Sequence, residues 1–141
     1  MSVETNKNTI RVMLDTNVLL SALLFPSQRM NTLIERIVSK YQLVLSSFII
    51  EEFMEVICLK FPDKESVVDF LLQQLPYEYV VTPQFPKPGL FSIRDETDYP
   101  VLYSAIVDDV DVFVSGDKDF TGLGLKKPDV VTPAEFLEKY K

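Results

Sequence analysis

The chain has no histidine and a single cysteine, Cys58. The first absence excludes Ser-His-Asp and Cys-His catalysis, histidine-ligated zinc, and the side chain most often used as a general base near neutral pH. The second excludes an internal disulfide. The apolar neighbours Ile57 and Leu59 predict that Cys58 is a buried structural thiol rather than a reactive one. Basic residues are in the minority: 14 Lys and Arg face 21 Asp and Glu, a net charge of −7. Bulk charge thus argues against non-specific nucleic-acid binding, which rests on lysine and arginine at phosphates. Long apolar runs are also missing, and none approaches the roughly 18 residues that a membrane span needs. Residues 1–9 are polar and lack the apolar core of a signal peptide, so a cytoplasmic location is expected.

What is present is an ordinary soluble composition, 47% hydrophobic and 25% charged over 141 residues. A chain of this length can bury most of its apolar surface without cross-links. With no linker, repeat or low-complexity tract, the expectation is a flexible tail over residues 1–9 and one domain over residues 10–141. Catalysis, if there is any, must work with carboxylates, hydroxyls, lysines or a metal.

Short apolar runs alternate with helical patterns. Residues 10–14, 43–45, 79–81 and 112–115 read as strands. Helices are expected over about 18–24, 28–40, 47–59, 64–75 and 99–108, with a short one at the C-terminus. The helix over 28–40 repeats Met30, Leu33, Ile34, Ile37 and Val38 on one face. Asp63 could cap the helix that repeats Val67, Val68, Leu71, Leu72 and Leu75. Residues 82–97 carry three prolines and one glycine and read as a surface loop. Thr132-Pro133-Ala134-Glu135 is a capping box with proline at the first helical position. Continuously apolar strands alternating with helices predict an α/β fold, a three-layer α/β/α sandwich around a mostly parallel sheet. Ligand sites in such folds sit at the carboxyl ends of the strands.

Three strands end in polar residues at that edge, at Asp15-Thr16-Asn17, at Ser46-Ser47 and at Ser115-Gly116-Asp117. Asp15 is either an edge carboxylate or a turn residue ahead of an Asn17 cap, and Asp117 either faces it or is a loop acid. On the helix that follows the second strand, Glu51 and Glu55 point away from the face set by Ile49, Phe53, Val56 and Ile57. Glu52 lies at its margin and is the one placed to reach the rim, unless it is simply solvated. Asp98 stands before a helix start, where a carboxylate is favoured by free N–H groups. Asp95 and Asp119 are secondary candidates. Four carboxylates from four segments cannot crowd together unassisted, since two charges about 4 Å apart repel by roughly 4 kcal/mol at an effective dielectric near 20. Either some stay protonated or a divalent cation sits among them, and an all-oxygen set selects Mg²⁺ or Mn²⁺ over zinc.

Five segments resemble motifs of the PIN-domain family, and in particular its VapC-like branch, the toxins of bacterial and archaeal toxin–antitoxin systems. Residues 12–18 (VMLDTNV) look like the first signature, with Asp15 as metal ligand. Residues 47–53 (SFIIEEF) look like the second, with Glu52 as the acid. Residues 94–98 (RDETD) look like the third, with Asp98, and residues 115–120 (SGDKDF) like the fourth, with Asp117 as the acid and Asp119 assisting. Residues 131–136 (VTPAEF) resemble the closing segment. No single motif is specific; the ordered set over nearly the whole chain carries the resemblance, and no acid is missing.

The resemblance implies a Mg²⁺- or Mn²⁺-dependent ribonuclease, often a homodimer, held in check by a cognate antitoxin. In that reading Asp15, Asp98 and Asp117 hold the metal, Asp119 helps, and Glu52 holds it or orients water. Asn17 and Ser115 are hydrogen-bonding groups that fix the carboxylates, and Arg94 and Lys118 either grip flanking RNA phosphates or are ordinary surface charge. Two rivals stand beside it. One is a receiver- or phosphatase-like domain that phosphorylates an aspartate with Mg²⁺, against which Asn17 occupies the second acid position of the phosphatase Asp-x-Asp start. The other is a non-catalytic PIN-like module that binds RNA or protein, against which the acid set is intact.

Overall fold

A computed structural model of the chain describes residues 9–141, so the expected tail over residues 1–9 lies, but for Thr9, outside the described residues. The elements run β1 (Arg11–Leu14), α1 (Thr16–Leu24), α2 (Gln28–Lys40), β2 (Gln42–Ser46), α3 (Ser47–Lys60), α4 (Glu65–Gln74), β3 (Glu78–Val80), α5 (Tyr99–Val107), β4 (Val112–Val114), β5 (Asp129–Val131) and α6 (Pro133–Lys139). The sheet order is β3-β2-β1-β4-β5, and every pairing is parallel. Val12, Met13 and Leu14 are all fully buried although successive strand residues point to opposite faces, so both faces of the sheet are covered. The fold is the three-layer α/β/α sandwich.

Local chemistry explains most boundaries. Ser27 accepts from Met30 N at 3.2 Å and starts α2, whose buried stripe is Met30, Leu33 and Ile37. Ser46, the last residue of β2, accepts from Ile49 N at 3.3 Å and starts α3 directly. The capping box forms as its sequence requires: Glu135 N donates to Thr132 Oγ1 at 3.1 Å, and Thr132 N donates to Glu135 Oε1 at 2.8 Å. Among the described residues, no helix is long and apolar enough to cross a membrane.

Four expectations change. The first helix begins at Thr16 rather than Val18, because Asp15 and not Asn17 caps it. Val130 and Val131 belong to a fifth strand, too short for its periodicity to be read and held by pairing with β4. Asp63 does not cap α4; it lies in a 3₁₀ turn, Pro62–Lys64, and of the expected apolar face only Val68 and Leu72 are buried while Val67 is exposed. Cys58 is exposed rather than buried. The buried stripe of α3 is Ile49, Phe53 and Ile57, and the next residue turns about 100° away from it. Cys58 Sγ sits 2.8 Å from Glu65 Oε2, and that hydrogen bond pushes the thiol pKa up.

Burial predicts unequal costs for truncating the two apolar faces. Ile37→Ala should lower unfolding free energy by about 2–5 kcal/mol, whereas Val67→Ala should stay within about 0.5 kcal/mol. Urea unfolding of both variants, with matched slopes, checks the difference.

Candidate active site

Strand order locates the site before any side chain is considered. The chain leaves β1 toward β2 and β3 on one side, then returns to β4 on the other side of β1 and continues outward to β5. The loops after β1 and β4 therefore diverge, and the crevice between their carboxyl ends is the switch point at which open α/β sheets bind ligands. Asp15 follows β1, and Ser115 and Asp117 follow β4.

Asp15 is buried. Its Oδ1 accepts from Val18 N at 2.8 Å, capping α1, and its Oδ2 accepts a hydrogen bond from Ser115 Oγ. Ser115 is buried too, and its Oγ also accepts from Asp117 N at 3.0 Å, so one hydroxyl links the two acids. Asp117 Oδ1 in turn accepts from Asp119 N at 2.9 Å and opens the 3₁₀ turn Lys118–Phe120. Phe120 anchors that turn by an edge-on contact with Phe113 of β4, at 5.1 Å between ring centroids. Glu52, on the exposed margin of α3, accepts a hydrogen bond from Thr16 Oγ1. Asp98 ends the 3₁₀ turn Glu96–Asp98 that runs into α5. It caps nothing through its side chain; Asp95 caps that turn, accepting from Thr97 N at 3.0 Å.

The result is a cleft of about 150 Å³ lined by Asp15, Thr16, Asn17, Glu52, Asp98 and Asp117, with Val56, Val101 and Phe120 as its apolar wall. One carboxylate oxygen from each of Asp98, Asp117 and Asp119 lies within 4.8 Å of the others. The structure thus gathers Asp15, Glu52, Asp98 and Asp117 in one cleft and sets Asp119 beside two of them. Asn17 lines the cleft, but among the described residues no hydrogen bond joins it to a carboxylate; Thr16, not singled out from the sequence, makes that contact instead. Its only signal was a hydroxyl next to the strand-end aspartate. Arg94 and Lys118 are exposed, form no salt bridge among the described residues, and do not line the cleft.

Charge is segregated across the sheet. The salt bridges among the described residues involve Arg11 with Glu78 and Asp108, Lys127 with Asp109 and Asp111, and Lys139 with Asp129. Their acids and cations cluster at the amino ends of β1, β3, β4 and β5. None reaches the cleft acids at the carboxyl ends, which among the described residues have no protein cation between them. Burial pushes the Asp15 pKa up against the lowering effect of Ser115 and Val18, and Asp117 and Glu52 add to the rise. Asp98 is pushed up to about 6 by burial and by Asp117, Asp95, Asp119 and Glu52. A set of carboxylate oxygens without a balancing cation, and with no histidine or thiol, suits a hard divalent ion.

A parallel α/β sandwich with such a cleft at its switch point defines a class of α/β proteins with an acidic site at the carboxyl ends of their strands. Within it this chain belongs to the PIN-domain family, whose model matches residues 11–119 and so covers all five acids of the cleft and its margin. No curated protein matches the chain in sequence. Among solved structures, one of VapBC2 from Rickettsia felis bound to a DNA fragment from their promoter is similar in fold. Its TM-score is 0.66 at 14% identity, over 86% of this chain and 97% of that one.

The acids set a pH dependence whose sign follows from Asp98. Its folded pKa of about 6 lies above the ordinary 3.8, so the folded chain holds this proton more tightly than the unfolded one. Metal-free protein should therefore lose stability as pH rises from about 4 to about 6, and the loss should level off above that. Asp98→Asn should flatten this part of the profile, as thermal unfolding in EDTA across the range will show.

Proposed function

We propose that the chain is a Mg²⁺- or Mn²⁺-dependent ribonuclease that hydrolyses RNA phosphodiester bonds, and that it is the toxin of a type II toxin–antitoxin pair. The observation that carries the nuclease reading is the meeting of four carboxylates from four chain segments at the switch point, with no lysine or arginine among the described residues that line it. Membership of the PIN-domain family supports it. The motif resemblance and the fold likeness to VapBC2 support the toxin role, with a cytoplasmic homodimer and a cognate antitoxin as its setting. The receiver-like rival is disfavoured by topology. In those sheets the first strand lies between the second and third, whereas here β1 lies between β2 and β4.

Asp98, Asp117 and Asp119, with Asp15, would hold the metal. Bound there, it supplies Lewis acidity for the phosphodiester and lowers the pKa of water. The chain's own residues do the positioning. Asp15 is held at both oxygens, by Val18 N and by Ser115, so it cannot rotate away. Glu52 uses one oxygen to accept from Thr16 and keeps the other to orient the attacking water. Arg94 and Lys118, exposed on the loops that carry Asp98 and Asp117, serve flanking phosphates. The negative net charge is no obstacle in this scheme, because the phosphate at the reacting centre meets a cation and not the protein.

The test is cleavage of a mixed structured RNA pool with Mn²⁺ or Mg²⁺ against EDTA. Asn caps helices about as well as Asp, so Asp15→Asn should melt no lower than the parent protein and yet cut no RNA. Full activity in a folded Asp15→Asn protein would sink the assignment. Ser115→Ala removes the hydroxyl that links Asp15 to Asp117 and leaves every cleft carboxylate in place, and its rate should fall by roughly 10- to 100-fold.

A further inference from the structure

The acids of the cleft and its margin fall into two groups by how they are held. Asp15, Asp117 and Asp119 are joined through Ser115 and backbone N–H groups in one run of hydrogen bonds from β1 to the loop after β4. Glu52 and Asp98 stand outside that run and are carried by α3 and by the turn that opens α5. Glu52 accepts from Thr16 through one oxygen, and the Asp98 side chain caps nothing. Where these two acids sit therefore depends on how α3 and α5 are set against each other.

Thr82 joins those two helices. Val80, the last residue of β3, is paired with Ser46 of β2, which brings residue 82 alongside the start of α3. There Thr82 N donates to Ser47 Oγ at 2.8 Å, and Thr82 Oγ1 accepts from Phe48 N at 3.2 Å. The same Oγ1 lies 3.3 Å from Oγ of Ser104, a buried residue of α5, and one of the two hydroxyls donates to the other. Helix α3 does not need Thr82 in order to start, because Ser46 Oγ already accepts from Ile49 N. Both contact points lie on the helix faces that lead to the cleft. Phe48 is one turn before Glu52, and Ser104 is one turn after Val101, which lines the cleft with Asp98.

We propose that Thr82 is a positioning residue for the acidic cleft: its hydroxyl clamps the first turn of α3 to α5 and so fixes Glu52 against Asp98. This rests on the metal-nuclease reading and deepens it, naming a residue outside the cleft on which the reaction depends. A hydroxyl suits the place because it can accept the Phe48 N–H and still share a proton with Ser104, which an alkyl group of the same shape cannot do. A misplacement of about 1 Å at reacting groups is enough to cost roughly 100-fold in rate, and a helix carries a shift at its first turn on to the next.

Thr82→Val keeps the shape and removes both hydroxyl contacts. Its kcat for RNA cleavage should fall about 10-fold at unchanged KM, and its affinity for Mn²⁺ alone, by calorimetry without RNA, should fall by a similar factor. Thr82→Ser should restore both. Ser27→Ala, which removes the cap of α2 far along the chain from the cleft acids, is the control for lost stability: it should lower Tm and leave kcat and Mn²⁺ affinity at parental values. Parental Mn²⁺ affinity in a folded Thr82→Val protein overturns the proposal, and so does failure of Thr82→Ser to rescue it. A raised KM at unchanged kcat overturns it as well and gives Thr82 to substrate binding. If Thr82→Val fails to fold, Ser104→Ala, which removes only the contact with α5, decides by the same two readouts. The two readings fail separately. Wild-type protein that binds Mn²⁺ and never cuts RNA counts against the nuclease and leaves the Mn²⁺ comparison to decide Thr82, whereas undiminished cutting and Mn²⁺ binding by Thr82→Val count against Thr82 alone.

Discussion

Asp15 accepts hydrogen bonds at both carboxylate oxygens, from Val18 N and from Ser115 Oγ, and these two contacts join the end of β1 to the start of α1 and to the end of β4. A buried carboxylate without such partners would cost several kcal/mol. With them it becomes a fixed point on which the remaining acids are hung. Ser115 passes the constraint to Asp117 through its backbone N–H, and Asp117 passes it to Asp119. Helix capping and site assembly are therefore one interaction.

The parallel sheet makes this possible. When every strand runs the same way, every strand end delivers its next residue to one edge, and the reversal of strand order between β1 and β4 opens a crevice there. The opposite edge carries the neutralising pairs, Arg11 with Glu78 and Asp108 above all. Stability and chemistry are thus assigned to opposite edges. Burial first, and then the like charges held together, raise the pKa values of Asp15 and Asp98, and a bound cation would offset the repulsion. The side chains that support the cleft carboxylates are hydroxyls, Thr16 and Ser115, which together with backbone N–H groups hold them without neutralising them.

How much of this could be read beforehand depends on how local the cause was. Helix α2 begins and ends where its apolar spacing said it should, because amphipathic period and a serine cap act within a few residues. The Thr132–Glu135 box formed for the same reason. Strand β5 was hidden because three residues show no period and only pairing with β4 makes them a strand. Cys58 and Val67 were misjudged because apolar neighbours in sequence do not say which side of a helix meets the core. Asp15, Glu52, Asp98 and Asp117 could be picked out by position at strand ends and helix margins. Thr16 could not, since its partner lies 36 residues away on another helix.

Residue types narrowed the kind of chemistry available: with no histidine and one cysteine, carboxylates, hydroxyls, lysines or a metal were what remained. Periodicity settled the fold class, since buried strands and amphipathic helices in alternation have few packings. Which acids meet, at what separation, and which hydroxyl holds which carboxylate are long-range facts. Asp98, Asp117 and Asp119 come within 4.8 Å through strand order and loop anchoring, and the Thr82 hydroxyl meets α3 and α5 at residues 34 and 22 positions away in the chain. Contacts between distant segments depend on packing of the whole sheet, and no local pattern encodes that.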